Sequence, residues 1–222
     1  MGKNQYLSKT FHVVHLGDRA CKEITMGQEL EWKYRADPER IAALSAAFGP
    51  FRQIAMETTY YDTPDRQLSS RRWTLRRRLE NGVGVCTLKT PGPEGARWEW
   101  ETEAADIETG IPALCRLSGS QELENLTAAG VIPICGARFT RQAALVAVPE
   151  GTVELALDQG VLLGIHRELA LCEMEVELKS GSRQAAEAFA RKLAEQYRLV
   201  PETASKFKRA RDLAEQETEH GI

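Results

Sequence analysis

Glu29-Leu30-Glu31-Trp32-Lys33 is the stretch whose reading decides the fold. In a β-strand, residues two apart share a face. Glu29, Glu31 and Lys33 therefore point one way, and Leu30, Trp32 and Tyr34 the other. The apolar side can pack on a core. The charged side needs water, a metal or an anion to satisfy it. One such strand is equally well read as a solvated sheet face, so its weight depends on whether the pattern returns.

It returns on strand after strand. Arg76 and Arg78 share a face against Leu75 and Leu79, and Lys89 lies with Thr87 against Cys86 and Leu88. Arg97, Glu99 and Glu101 share a face against Trp98 and Trp100. Glu154 and Asp158 are four apart on one strand face. Glu173, Glu175, Glu177 and Lys179 form an unbroken charged row against Met174, Val176 and Leu178. Solvated faces usually mix in Ser, Thr, Asn and Gln, whereas these are nearly pure Arg, Lys and Glu. Large apolar residues on the reverse face suit packing beneath helices, which turns the charged faces toward one another, as in a closed barrel. Dry burial of so many ions costs several kcal/mol each. The expected interior is thus a wet tunnel for a multiply charged ligand. Arg and Lys suit phosphate oxygens, and clustered Glu and Asp suit Mg²⁺ or Mn²⁺. Both in one cavity imply a metal-bridged polyphosphate.

The remaining sequence fits one α+β domain over residues 26–217. Asp37-Pro38-Glu39 opens a helix that runs to about Phe48. Strands are expected over 53–62, 74–80, 83–90, 97–102, 137–148, 151–159 and 169–180, with Asn81-Gly82 as a hairpin turn. Glu150-Gly151 and Gln159-Gly160 read as further turns. Two short helices fit 106–130, a long amphipathic helix Arg183 to Tyr197, and a last helix 203–217. About eight strands with a few helices suggest a curved or closed antiparallel sheet.

Composition bounds the function. The 222 residues carry 29 basic and 32 acidic side chains, for a formal net charge of -3, which argues against bulk nucleic-acid binding. Five cysteines without a CxxC spacing point away from disulfides or zinc and toward a reducing cytoplasm. No apolar run is long enough for a membrane span. Residues 1–25 show no sustained periodicity, although His12 and His15 fall there. Lys22-Glu23 can be encoded as a ribosome-binding sequence six nucleotides before the Met26 codon. The natural protein is therefore expected either to begin at Met26 or to carry a disordered tail.

The motifs resemble the CYTH superfamily, the triphosphate tunnel metalloenzymes. Glu29, Glu31 and Lys33 match its ExExK. Tyr60-Tyr61-Asp62-Thr63-Pro64 resembles its Y-[FY]-D-T-P, Leu75-Arg76-Arg77-Arg78 its L-R-x-R, and Thr87-Leu88-Lys89 its T-L-K. Arg97 to Glu101 matches R-x-E-x-E, and Ser205-Lys206 a late S-K. Val153 to Gly160 and Cys172 to Gly181 are similar to its bacterial inorganic triphosphatase branch. That branch often carries a second, helical, histidine-rich domain, for which this length leaves no room.

The resemblance implies an eight-stranded antiparallel closed β-barrel with helices packed outside. It implies that Arg76, Arg78, Lys89, Arg97, Arg141 and Lys206 grip phosphates. Glu29, Glu31, Glu175 and Glu177 would hold Mg²⁺ or Mn²⁺, with Glu173, Glu154 and Asp158 nearby. Lys33, Glu29 and Glu31 would be catalytic. In Arg138-Phe139-Thr140-Arg141 the two arginines fall on opposite faces, and the strand start decides which one points inward. Asp62 reads equally as a turn cap. The implied activity is hydrolysis of a linear triphosphate, best inorganic triphosphate to pyrophosphate and phosphate. A thiamine triphosphatase, a class IV adenylyl cyclase or a non-catalytic polyphosphate-binding module are the rivals. The expected partner is the small anionic substrate, with no nucleic acid and no membrane, and with a homodimer left open.

Overall fold

The computed structural model describes residues 30–92 and 97–219. Glu29, the 1–25 segment and the proposed start at Met26 lie outside the described residues. The elements run β1 (Glu31–Arg35), α1 (Pro38–Phe48), β2 (Arg52–Asp62), α2 (Gln67–Ser70), β3 (Thr74–Glu80), β4 (Val83–Pro91) and β5 (Arg97–Glu103). They continue as α3 (Ile107–Ser118), α4 (Gln121–Thr127), β6 (Ile132–Val148), β7 (Gly151–Leu163), β8 (Glu168–Gly181), α5 (Arg183–Gln196), β9 (Val200–Pro201) and α6 (Lys206–Glu219).

All nine strands join one sheet in the order β5-β4-β3-β2-β6-β7-β8-β1-β9, and every neighbouring pair is antiparallel. The sheet is not the closed eight-stranded barrel expected from the sequence. Among the described residues β5 and β9 are free edges, so hydrogen bonds do not close the sheet. The ninth strand is a two-residue addition, Val200–Pro201, that pairs with Tyr34 and Arg35. Two residues are too few to show any periodicity in sequence. The sheet nevertheless curls. Lys33 on β1 and Lys89 on β4 line the same cavity, whereas six strand spacings in a flat sheet would part them by about 29 Å.

Alternation works as expected on the convex side. Leu155, Leu157, Met174 and Val176 are buried under Ile41 and Leu44 of α1 and Ala186, Ala190 and Leu193 of α5, with Trp32 packed alongside. Leu75, Cys86 and Leu88 are buried under Ile107, Leu114 and Leu123 of α3 and α4, with Trp100 alongside. Asp37, Asp106, Ser120 and Ser182 each cap a helix by accepting a backbone N–H. Asn81 and Gly82 both have positive φ, as the tight hairpin between β3 and β4 requires.

Not every helix lies outside. Helix α6 packs on the concave face, where Phe207, Ala210 and Ala214 meet Met56, Tyr60, Ala137, Phe139 and Leu162. Part of the interior is therefore a dry apolar core, and only the remainder is a polar bore. Gly160 is not in a turn: β7 continues through it to Leu163. A Cβ there would collide with the Arg138 carbonyl and Phe139, so the glycine permits close approach of β6 inside the strand.

Candidate functional site

Side chains from β1, β3, β4, β5, β6, β8 and α6 converge on one cavity of about 110 Å³. Its wall includes Glu31, Lys33, Arg76, Arg78, Lys89, Arg97, Arg141, Glu175 and Lys206. All six residues expected to grip phosphates are thus brought together. Strand β6 settles the arginine choice. Arg141 faces inward, while Arg138 is exposed and pairs with Glu168 at 3.0 Å.

On the β3–β5 side, bases and acids interleave across strands. Lys89 Nζ lies 3.1 Å from Glu99, and Arg76 lies 3.5 Å from both Glu99 and Glu101. Arg78 pairs with Glu80 and stands 3.7 Å from Glu101. Thr87 donates its hydroxyl to Glu101 at 2.8 Å. Arg97 donates to Thr74 Oγ1 at 3.2 Å and to the Arg72 carbonyl at 2.9 Å. Burial, and then the neighbouring Arg76 charge, lowers the affinity of Arg78 for its proton. A guanidinium stays charged at neutral pH regardless. Its buried Nε–H has no acceptor among the described residues, which leaves that donor available to an anion.

The β7–β8–α6 side is more tightly knit. Lys206 Nζ lies 2.8 Å from Asp158 and 2.7 Å from Glu175 and also pairs with Glu173. Arg141 holds Asp158 through two hydrogen bonds of 2.8 and 2.7 Å and pairs with Glu175 as well. Arg209 pairs with Glu173. Phe139 lies beneath two of these cations, its ring centre 5.2 Å from Lys206 Nζ and 5.9 Å from the Arg141 guanidinium carbon. Burial alone would raise the Glu175 carboxyl, but Lys206 and Arg141 outweigh it and hold it well below the usual carboxylate range. Likewise burial would lower the Lys33 ammonium, yet Glu31, 2.9 Å away, raises it. Lys33 is therefore protonated at neutral pH and unsuited to act as a base.

Two groups of acids could be asked to hold a cation. The carboxylates of Asp158, Glu173 and Glu175 lie within 4.8 Å of one another. The ammonium and guanidinium groups of Lys206, Arg141 and Arg209 already sit on them, so a metal would have to displace protein cations. The second group is a row across three strands: Glu31 is the register partner of Glu177, and Glu177 of Glu154. Lys33 and Lys179 are the bases paired with this row, the latter 2.7 Å from Glu177. These three acids stand in register across β1, β8 and β7, and Glu31 is part of the cavity wall.

Glu29 lies outside the described residues. Asp158 and Glu173 sit beneath the cavity as counter-ions; Glu177 stands beside Glu31 and Glu154 beyond Glu177, neither being part of the cavity wall. Asp62 is a structural cap: its carboxylate accepts from the N–H groups of Thr63, Leu68 and Ser69 at 2.8, 2.9 and 3.2 Å. Sequence reasoning missed Arg209 and Phe139. Arg209 stands three residues after Lys206, hence on the same helix face, a spacing from which its pairing could have been read. Phe139 carried no such signal, since an aromatic on a strand reads first as core.

The model of the family described as CYTH domain matches residues 27–210. The chain belongs to the CYTH domain family. Over 194 residues this CYTH domain is 31% identical to the inorganic triphosphatase of Haemophilus influenzae, covering 84% of the present chain and 55% of that protein. The chain thus spans about half the length of its curated relative. Among solved structures, a proposed adenylyl cyclase from Hippeastrum, described as having a dominant triphosphatase activity, superposes with a TM-score of 0.60. The two share 21% identity, over 83% of this chain and 95% of that one. A proposed adenylate cyclase from Bacillus halodurans gives 0.54 at 19% identity, covering 82% and 96%. At such identities these likenesses bear on the CYTH fold alone. No helix among the described residues is long and apolar enough to cross a membrane.

Proposed function

We propose that this CYTH domain is a metal-dependent hydrolase that cleaves a linear triphosphate, with inorganic triphosphate, released as pyrophosphate and phosphate, as its substrate. The observation that carries this reading is the convergence of Lys33, Arg76, Arg78, Lys89, Arg97, Arg141 and Lys206 on one cavity beside the Glu31–Glu177–Glu154 row. The cavity's bases are extensively matched by its own carboxylates. A polyanion entering there needs additional positive charge, which is the role of a cation arriving with it. A volume of about 110 Å³ is below the ~300 Å³ at which pockets for organic ligands begin. That favours a bare phosphate chain over one carrying thiamine or a nucleoside inside the bore.

Glu31, Glu177 and Glu154 would hold the cation, with Glu29 expected beside them. When bound, Mg²⁺ or Mn²⁺ neutralises phosphate charge and polarises the phosphoryl group under attack. The chain's own residues do the rest. Arg76, Arg78, Lys89 and Arg97 hold one stretch of the phosphate chain from the β3–β5 wall. Arg141 and Lys206 hold the other, kept in place by Asp158, Glu173 and Glu175. Most of phosphoryl-transfer catalysis is such positioning and charge stabilisation. Lys33, protonated, orients water or phosphate by donating hydrogen bonds. The proton of the attacking water passes to a carboxylate oxygen of the acidic row.

Phosphate release from inorganic triphosphate, ATP and thiamine triphosphate, each with Mg²⁺ and with Mn²⁺, tests this reading. Turnover of inorganic triphosphate above the other two is expected. Preference for thiamine triphosphate or ATP would replace the substrate assignment, and tight binding without turnover in either metal would mark a binding module.

A further inference from the structure

Helix α6 brings Lys206 to the cavity from its first turn, while its last turn is anchored elsewhere. Glu217 is fully buried. Its Oε2 accepts from the backbone N–H groups of Ile165 and His166, at 2.6 and 3.0 Å, in the turn joining β7 and β8. Gly164, which begins that turn, donates its N–H to the Arg167 carbonyl at 2.9 Å. The turn therefore presents successive N–H groups as a small anion-binding nest, and the helix supplies the anion. Burial would raise this carboxyl, but the N–H groups of His166, Ile165 and Arg167 hold it below its usual range.

Such an anchor works against the helix that carries it. A carboxylate in the last turn opposes the macrodipole, and burying an ion is costly where an apolar residue would serve for packing. What the carboxylate adds is direction. Two charge-assisted hydrogen bonds fix where the helix sits along its axis, which van der Waals packing of Ala210 and Ala214 on the sheet does only loosely. Gly164 leaves space for that contact and for nothing more. A Cβ there would stand 2.7 Å from Glu217 Oε1 and 3.0 Å from Leu213 Cγ.

We infer that Glu217 is a positioning residue: by locking α6 to the β7–β8 turn, it sets the placement of the Lys206 ammonium in the phosphate cavity. The inference rests on the proposed role of Lys206 in binding triphosphate. Sliding α6 moves Lys206 against Asp158 and Glu175 on the sheet, while Lys89, on β4, is untouched.

The test is a pair of double-mutant cycles on the full chain. KM and kcat for inorganic triphosphate with Mg²⁺, and melting temperature, are measured for Glu217→Gln alone and combined with Lys206→Ala or Lys89→Ala. Glu217→Gln is expected to raise KM about tenfold, the effect of losing one charge-assisted contact. On the Lys206→Ala background it should add nothing, and on the Lys89→Ala background it should retain its full effect. Equal, additive effects on both backgrounds would mark Glu217 as a general stability element and overturn the inference. So would a lower melting temperature with KM unchanged. Gly164→Ala attacks the same contact from the turn and should reproduce the pattern if Glu217→Gln does not fold. If Lys206→Ala itself leaves KM and kcat unchanged, the fault lies with the assignment of Lys206, and the positioning role falls with it. If Lys206→Ala is impaired but neither anchor variant is, only the positioning role fails.

Discussion

Arg78 combines burial, a like charge beside it and an Nε–H without an acceptor among the described residues. Arg78→Ala should weaken triphosphate binding by about 10- to 100-fold, as expected for losing one or two charge-assisted bonds. Comparison of melting shifts on adding triphosphate checks this, and equal shifts in variant and parent would count against it. Glu31→Gln keeps the shape of the side chain and removes its charge. Turnover should fall by about 100-fold or more, since even partners one shell beyond a metal's ligands are worth 10- to 100-fold, while the melting temperature stays near that of the parent. Glu175 makes the opposite point. Its folded-state proton affinity is depressed, so its stabilising effect is complete above the ordinary value of 4.5 and is lost as pH falls from there toward the depressed value. Lys206→Ala removes the strongest of its cationic partners and should flatten this part of the stability–pH curve. Denaturation midpoints between pH 3 and 7 provide the measurement.

At the scale of elements, the Tyr60-Tyr61-Asp62-Thr63-Pro64 stretch acts structurally at its aspartate. Asp62 is 1% exposed and gathers three N–H groups at the start of α2. Asp62→Ala should cost about 1–3 kcal/mol, the penalty for stranding buried donors. Urea denaturation should show a lower midpoint with unchanged slope, and the kcat of the folded fraction should be unaltered. The strands themselves were legible because a charged face backed by an apolar one leaves a period of two that short-range sequence carries by itself. Gly160 was misread because glycine signals both a turn and a place where strands crowd together, and only the neighbouring Phe139 separates the two. Helix α6 was legible as a helix but not as an interior one. Its Phe207, Ala210 and Ala214 stripe describes a face to be buried, without naming the surface that buries it.

For the molecule as a whole, the curl of the sheet converts strands far apart in sequence and in sheet order into opposing walls. The charge balance of that enclosure leads to a global prediction. Chelation of divalent metal should abolish triphosphate hydrolysis, and adding back Mg²⁺ or Mn²⁺ should restore it, with little change in the melting temperature of the substrate-free chain. Its ion pairs among Asp158, Glu173, Glu175, Lys206, Arg141 and Arg209 hold the wall together without a metal. A large loss of stability on chelation would instead place a structural ion in the fold.

Sequence alone determined that charged side chains share strand faces, that Arg76, Arg78, Lys89 and Arg97 belong together, and that acids accompany them. Alternation is a local property of an extended backbone and needs no knowledge of the fold. Tertiary structure alone decided that the sheet stays open, that Arg141 and not Arg138 turns inward, and that α6 fills part of the bore. It also divided the acids into a trio neutralised by protein cations and a row in register across β1, β8 and β7, for which we propose the metal-holding role. Those outcomes depend on strand register and on which distant surfaces meet, and a charge's role is set by its nearest opposite charge in space.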